Sequence, residues 1–333
     1  MKTDAYYPSN LARGASRPTV VVADDHRRML DAVSTLLADD FRLVASVTDG
    51  RQAVDAVNRL DPDIVVLDIT MPELDGFRTA KALRKAGSRA EIVFLTLHDS
   101  DDYVEAALRS GAKGYVLKAR MEADLVCALR HALSGRTFLP SLTSLSAMAG
   151  NAGAHTVHFR SSDASFHDGV VEMLLATLAR GEMTAVIGTG DLRTGIARGL
   201  NDAGCDVSAM RAKGDYLEFD AADAIGQIMR NGRPDKDELA TMVDGLERLR
   251  LSRATNGRSR ITIFGEMGGL LLQDGNFDAA VQLEQTWDEL TGTLPYFTIC
   301  SYATRMLQPE QHPDTWSAVC AEHTAVCHAE RLQ

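Results

Sequence analysis

Short apolar runs rich in β-branched residues alternate, over the first 140 residues, with stretches whose apolar positions recur every three to four places. The runs 19–23, 42–47, 64–67, 92–95 and 114–117 predict strands, and the patterns near 28–37, 51–60, 77–85, 101–110 and 123–133 predict helices. Five such βα units imply a parallel sheet with helices on both faces. Residues 1–18 are polar without periodicity and read as a flexible leader ahead of a domain over 19–138. From Ser134 the composition turns to Ser, Gly and Ala, with Pro140, Gly150 and Gly153 interrupting any pattern, so 139–154 reads as a linker.

A second α/β alternation fills 155–333. Strands are predicted at 184–187, 206–210, 260–264 and 296–302. Helices are predicted near 168–179, 192–203, 221–229, 237–251, 268–272 and 277–290, with a last one from Asp314 to about Arg331.

Charge separates the halves. Residues 1–140 carry 19 Lys and Arg against 20 Asp and Glu, whereas 141–333 carry 16 against 26, so nearly all of the net charge of −11 lies in the second half. Duplex binding requires neutralising phosphates, so an acidic second domain argues against DNA. Apolar residues at 45% and charged residues at 24% fit a folded globular chain. No run reaches the roughly 18 to 20 apolar residues of a membrane span, and Met1 to Asn10 has no apolar core like that of a secretion signal. Five scattered cysteines suit a reducing compartment, and a cytoplasmic protein is expected.

In an open parallel sheet, ligands bind beyond the carboxyl ends of the strands. In the first domain those ends carry Asp24 and Asp25, Asp68, Thr96 and Lys118. Converging carboxylates repel one another and call for a cation, and a hard ion such as Mg2+ suits oxygen donors that leave room for phosphate. His26 and His98 read as surface residues. With the turn Met71-Pro72-Glu73-Leu74-Asp75-Gly76 after Asp68, and Tyr115 three places before Lys118, residues 19–138 resemble the receiver domain of two-component response regulators, in particular the NarL/FixJ group. The resemblance implies a flavodoxin-like, five-stranded, doubly wound fold in which Asp68 accepts a phosphoryl group from a cognate histidine kinase. It further implies that Asp24, Asp25, Asp68 and the backbone carbonyl of Thr70 hold Mg2+, that Lys118 and Thr96 assist transfer, and that Thr96 and Tyr115 form the switch. A homodimer through the fourth helix, fifth strand and fifth helix is the implied output of the switch.

In the second half, Thr184 to Gly190 reads as a buried strand entering a glycine turn, and Gly190 and Gly195 have P-loop spacing. Ile196 and Ala197 stand where Lys and Ser or Thr are needed, and Asp191 adds negative charge, so ATP hydrolysis is not expected. Together with His155 and His158, Leu178 to Glu182, Gly265-Glu266-Met267, Leu283 to Trp287 and Ile299-Cys300-Ser301-Tyr302, this region resembles the MEDS sensory domain. That resemblance implies a RecA/KaiC-like α/β domain with a degenerate P-loop, an output module that is not a helix-turn-helix, and a small-molecule ligand or a signalling protein as partner. The strand-end rule places His155, Glu266, Glu284, Cys300 and Tyr302 around one pocket. Cys320, His323 and Cys327 stand at helical i, i+3, i+7 spacing, a face of metal ligands or of packing residues, and Trp287 and Trp316 read as core. The expected function is a phosphorylation-controlled response regulator that acts on no second substrate. The alternatives are a DNA-binding regulator using an unrecognised surface and a KaiC-like nucleotide-dependent enzyme.

Overall fold

The computed structural model describes residues 17–149, 153–160, 164–253, 260–308 and 311–328. Most of the expected leader, 1–16, and part of the linker, 150–152, lie outside these residues. The chain divides into two compact units that meet between Pro140 and Ser141.

The first unit contains β1 (Thr19–Ala23), α1 (Arg27–Leu37), β2 (Arg42–Val47), α2 (Gly50–Leu60), β3 (Ile64–Leu67), α3 (Gly76–Lys85), β4 (Glu91–Thr96), α4 (Asp101–Arg109), β5 (Gly114–Leu117), α5 (Met121–Leu133) and β6 (Thr137–Leu139). The sheet order is β2-β1-β3-β4-β5-β6, with every pairing parallel. The continuous apolar runs of β1, β3 and β4 are buried, as covering both faces of a parallel sheet requires. Five strands were expected; β6 adds a sixth, whose three residues are all buried but too few to show a period. Asp49 and Asp75 cap α2 and α3 by accepting from the amides of Gln52 and Arg78. At Gly76 an added Cβ would lie 2.3 Å from the Asp68 carbonyl oxygen, so only glycine lets α3 start this close to the end of β3.

The second unit contains β7 (Ala154–Arg160), α6 (Ala164–Ala179), β8 (Met183–Gly188), α7 (Gly190–Asp202), α8 (Val207–Lys213), β9 (Tyr216–Asp220), α9 (Ala221–Ile228), β10 (Met229–Arg230), β11 (Arg233–Pro234) and α10 (Lys236–Arg253). It continues with β12 (Ile261–Gly265), α11 (Met267–Gln273), α12 (Phe277–Thr291), β13 (Tyr296–Ala303), α13 (Pro313–Ala321) and β14 (Ala325–His328). The main sheet runs β14-β7-β13-β12-β8-β9, all parallel. The β10–β11 hairpin turns at Asn231-Gly232, both at positive φ, the pair favoured for a two-residue turn.

Several expectations are corrected here. The segment expected as strand 206–210 is α8, because the Asp206 side chain caps the Ala209 amide; the edge strand follows at β9. The last helix stops at Ala321, and the run Ala325 to His328 joins the sheet beside β7. The expected linker holds a 3-10 helix, Thr143–Met148, whose Leu145 is fully buried. Trp287 and Trp316 are core residues as expected. The Trp287 indole donates to Thr298 Oγ1 at 3.2 Å, and Trp316 stacks on Phe159 with centroids 3.9 Å apart.

Candidate functional site

Residues from four strand ends converge in the first unit. Asp24 follows β1, Asp68 follows β3, Thr96 ends β4 and Lys118 follows β5, and all four side chains are buried. The Lys118 ammonium donates to Asp68 Oδ2 at 2.8 Å and lies 2.7 Å from Asp24 Oδ2, so one cation bridges two buried carboxylates. Asp68 Oδ1 accepts the Ile69 amide at 2.7 Å, which fixes the rotamer. Burial raises the Asp68 pKa, and the Lys118 hydrogen bond only partly offsets it. Burial would lower the Lys118 ammonium, but the hydrogen bonds to Asp24 and Asp68 outweigh it and hold its pKa above the ordinary lysine value.

Metal-free Asp68 should therefore titrate above 3.8. As pH falls, its carboxylate is lost earlier than in a free side chain. As pH rises through the folded-state pKa, the folded chain gives up a proton it held more tightly than the unfolded chain, and stability declines. A carboxyl-carbon NMR titration in chelator with a midpoint at or below 3.8 would contradict this.

Asp24, Asp25 and His26 each bring a ligand-type atom within 4.8 Å of the others. Asp24 Oδ2 is buried and faces the Lys118 ammonium at 2.7 Å, Asp24 Oδ1 accepts the His26 amide at 2.9 Å, and the more exposed Asp25 carboxylate stands beside them. These hard, partly uncommitted oxygens fit a hard divalent cation. Asp68 is tied to this group through Lys118, and the Thr70 hydroxyl contacts His98 Nε2 at 3.1 Å.

Thr96 and Tyr115, the expected switch residues, meet at His98, which is half-buried rather than a plain surface residue. Tyr115 is buried, and its hydroxyl donates to the His98 carbonyl at 2.8 Å; the His98 amide donates to Thr96 Oγ1 at 3.3 Å. The His98 ring stacks on Tyr103 with centroids 4.1 Å apart. A side chain that contacts both Thr70 and α4 links the acidic site to that helix. No local motif marked it, because its partners are distant in sequence.

The five residues expected around one pocket of the second unit divide into two groups. Glu266 lies at the strand ends, where the chain leaves β8 toward one sheet edge and β12 toward the other, the crevice in which open sheets bind ligands. Its own carboxylate fills that place. Oε2 accepts from the Thr189 amide and hydroxyl at 3.1 Å each, and Oε1 pairs with Arg160 at 2.9 Å. The glycine turn after β8 thus presents its amide to an internal anion. Ile196 is buried in α7 and supplies no charge.

The other four lie under α12, in the layer between helix and sheet. Side chains alternate along a strand, and registered neighbours share a face, so His155 on β7 and Thr298, Cys300 and Tyr302 on β13 point the same way. From α12, Glu284 reaches down to them. Its Oε2 lies 3.1 Å from His155 Nε2 and 3.3 Å from Cys300 Sγ, and its Oε1 accepts from the Tyr302 hydroxyl. Gly268 permits this approach, since a Cβ there would lie 2.1 Å from the Tyr302 hydroxyl oxygen and 2.8 Å from Glu284 Oε1. His323 joins the group from the turn after α13, held there by Thr324, whose amide donates to the His155 carbonyl at 2.7 Å. Because the helix ends at Ala321, Cys320, His323 and Cys327 do not form one helical face.

Burial alone would raise the Glu284 carboxyl, yet the His155 hydrogen bond and the charge of the imidazoles bring it down to about 2. Burial opposes protonation of His155, but Cys300, Asp288 and Glu284 hold its pKa well above the usual histidine value. Burial and the neighbouring His155 charge push His323 down to about 3, and burial lifts the Cys300 thiol to about 12.

Residues 20–130 match the family model of the response regulator receiver domain, and residues 154–318 match that of MEDS, the methanogen/methylotroph DcmR sensory domain. The chain therefore joins a receiver domain to a MEDS domain. It is 35% identical over 125 residues to the uncharacterized transcriptional regulatory protein YvfU of Bacillus subtilis, covering 37% of this chain and 62% of that one. It is 33% identical over 123 residues to the nitrate/nitrite response regulator protein NarL of Escherichia coli K12, covering 36% and 57%. The chain thus spans about three-fifths of the length of these relatives. A crystal structure of a LuxR-family two-component response regulator from Aurantimonas matches at 30% identity with a TM-score of 0.35, over 37% of this chain and 89% of that one. Among the described residues, no helix is long and apolar enough to cross a membrane.

Proposed function

We propose that the protein is a response regulator in which Asp68 takes a phosphoryl group from the histidine of a cognate kinase and thereby switches the output of the MEDS domain. The observation that carries this reading is the buried Lys118 ammonium shared by Asp68 and Asp24 at the strand ends. An Asp68 oxygen attacks phosphorus, the phosphorus–nitrogen bond breaks with its electron pair staying on the imidazole, and an acyl phosphate results. Lys118 faces the oxygens that gather charge, and the Thr96 hydroxyl donates to them once it is released from His98. Asp24, Asp25, Asp68 and the Thr70 carbonyl would hold Mg2+, which offsets charge on the transferring group when bound.

Through the contacts of His98 with Thr70 and Tyr103, a change at Asp68 reaches α4. We take the face formed by α4, β5 and α5 as the homodimer surface in a cytoplasmic setting. The MEDS domain descends, in this reading, from a RecA/KaiC-like ancestor that lost nucleotide chemistry, which agrees with Glu266 occupying its crevice. The chain then modifies only itself, and the MEDS domain receives a small molecule or a signalling protein rather than DNA. Acetyl phosphate with Mg2+ should label the protein at one site, and Asp68→Asn should abolish the label; equal labelling of the variant would defeat the assignment.

A further inference from the structure

His155, Glu284, Cys300 and His323 come from four separate stretches of chain, and one ligand-type atom of each lies within 4.8 Å of the other three. The spacings are 3.1 Å from His155 Nε2 to Glu284 Oε2, 3.3 Å from His155 Nε2 to Cys300 Sγ, 3.3 Å from Cys300 Sγ to Glu284 Oε2 and 3.6 Å from His323 Nε2 to Glu284 Oε2. A tetrahedral centre with ligands at about 2.0–2.3 Å has corners about 3.3–3.8 Å apart. The four measured edges lie close to that range, and the remaining two are within 4.8 Å.

The groups around them favour coordination as well. His323 Nδ1 lies 2.6 Å from the Val319 carbonyl, so it carries the proton and leaves the lone pair on Nε2. That Nε2 is fully buried, has no hydrogen-bond partner and faces the other three groups. His155 Nδ1 faces Asp288 Oδ1 at 3.5 Å, and the second Glu284 oxygen accepts from Tyr302. Each of these contacts orients a ligand from behind, as the outer partners of metal sites do.

We propose that His155, Glu284, Cys300 and His323 form a binding site for a divalent transition-metal ion of the zinc type. Two imidazoles, a thiol and a carboxylate are the donor types such ions take, and four protein ligands would close the coordination. Loading releases two protons to solvent, one from Cys300 Sγ and one from His155 Nε2. The buried charge is balanced both ways: imidazolium against carboxylate without the ion, and a divalent cation against thiolate and carboxylate with it. The ion would tie β7, β13, α12 and the α13–β14 turn to one point, giving the MEDS domain a metal-dependent state.

The test uses the full chain, stripped with chelator and titrated with Co2+. The expected result is a thiolate-to-cobalt charge-transfer band that the oxygen donors of the receiver cannot produce. Cys300→Ser should remove the band, His323→Gln should weaken binding at least about tenfold, and Cys327→Ser should change neither. Since the Cys300 variant could misfold, wild-type thermal unfolding is followed in parallel through tryptophan fluorescence. Zn2+ should raise its midpoint in a concentration-dependent way. Absence of the band in wild type together with no shift by Zn2+, or survival of the band in folded Cys300→Ser, overturns the proposal.

Discussion

Lys118→Met should slow phosphoryl uptake by about 10²- to 10³-fold, the usual cost of losing one preorganised donor to developing charge, while binding Mg2+ more tightly than wild type. Both effects arise from the same ammonium. Its nitrogen lies within 2.8 Å of one oxygen on each of Asp24 and Asp68. Those oxygens are then at most about 5.5 Å apart, and without the cation they would repel by roughly 3 kcal/mol at an effective dielectric near 20. A divalent ion relieves that repulsion, so removing its competitor should raise affinity by about tenfold or more, a change calorimetric titration would resolve. Transfer then lacks the cation that faces the phosphoryl oxygens, and labelling by acetyl phosphate falls. Weaker Mg2+ binding by the variant would show that Lys118 organises the acids rather than competing for them. Unchanged labelling would remove it from the mechanism.

The receiver could be read from the chain because its chemistry sits where local pattern and strand ends coincide. Continuous apolar runs mark β1, β3 and β4, and Asp24, Asp68, Thr96 and Lys118 each stand within a residue of a strand end, so a list of those ends is nearly a list of the site. His98 escaped because it works through contacts with Thr70, Tyr103 and Tyr115 rather than through a motif. In the MEDS domain the strand-end rule located Glu266 correctly at its strand end but wrongly placed it with Glu284, Cys300 and Tyr302. Those residues face a helix that crosses the sheet, and no one-dimensional rule states which residue of α12 lies over which residue of β13. His323 was misread for a related reason. Helical periodicity was carried past Ala321, where the run Ala325 to His328 gains more by pairing with β7 than by continuing a helix.

Glu284→Leu should be the most destabilising single change in the MEDS unit, by about 3–5 kcal/mol, the range found when one partner of a buried ion pair is removed. Glu284 is 2% exposed, and in metal-free protein it accepts from His155, Tyr302 and Cys300, so its loss strands an imidazolium and leaves two further donors unpaired. The double change His155→Phe with Glu284→Leu should cost less than the sum of the two single changes, because it removes the buried charge along with its partner. Both tryptophans, Trp287 and Trp316, belong to this unit, so urea unfolding followed by fluorescence in chelator reports it separately from the receiver. If Glu284→Leu stayed within about 1 kcal/mol of wild type, a neutral, loosely packed cluster would be indicated. The acid would then have no partner whose charge depends on it. Additive single and double changes would carry the same meaning, since His155 and Glu284 stabilise each other only if each is charged because the other is.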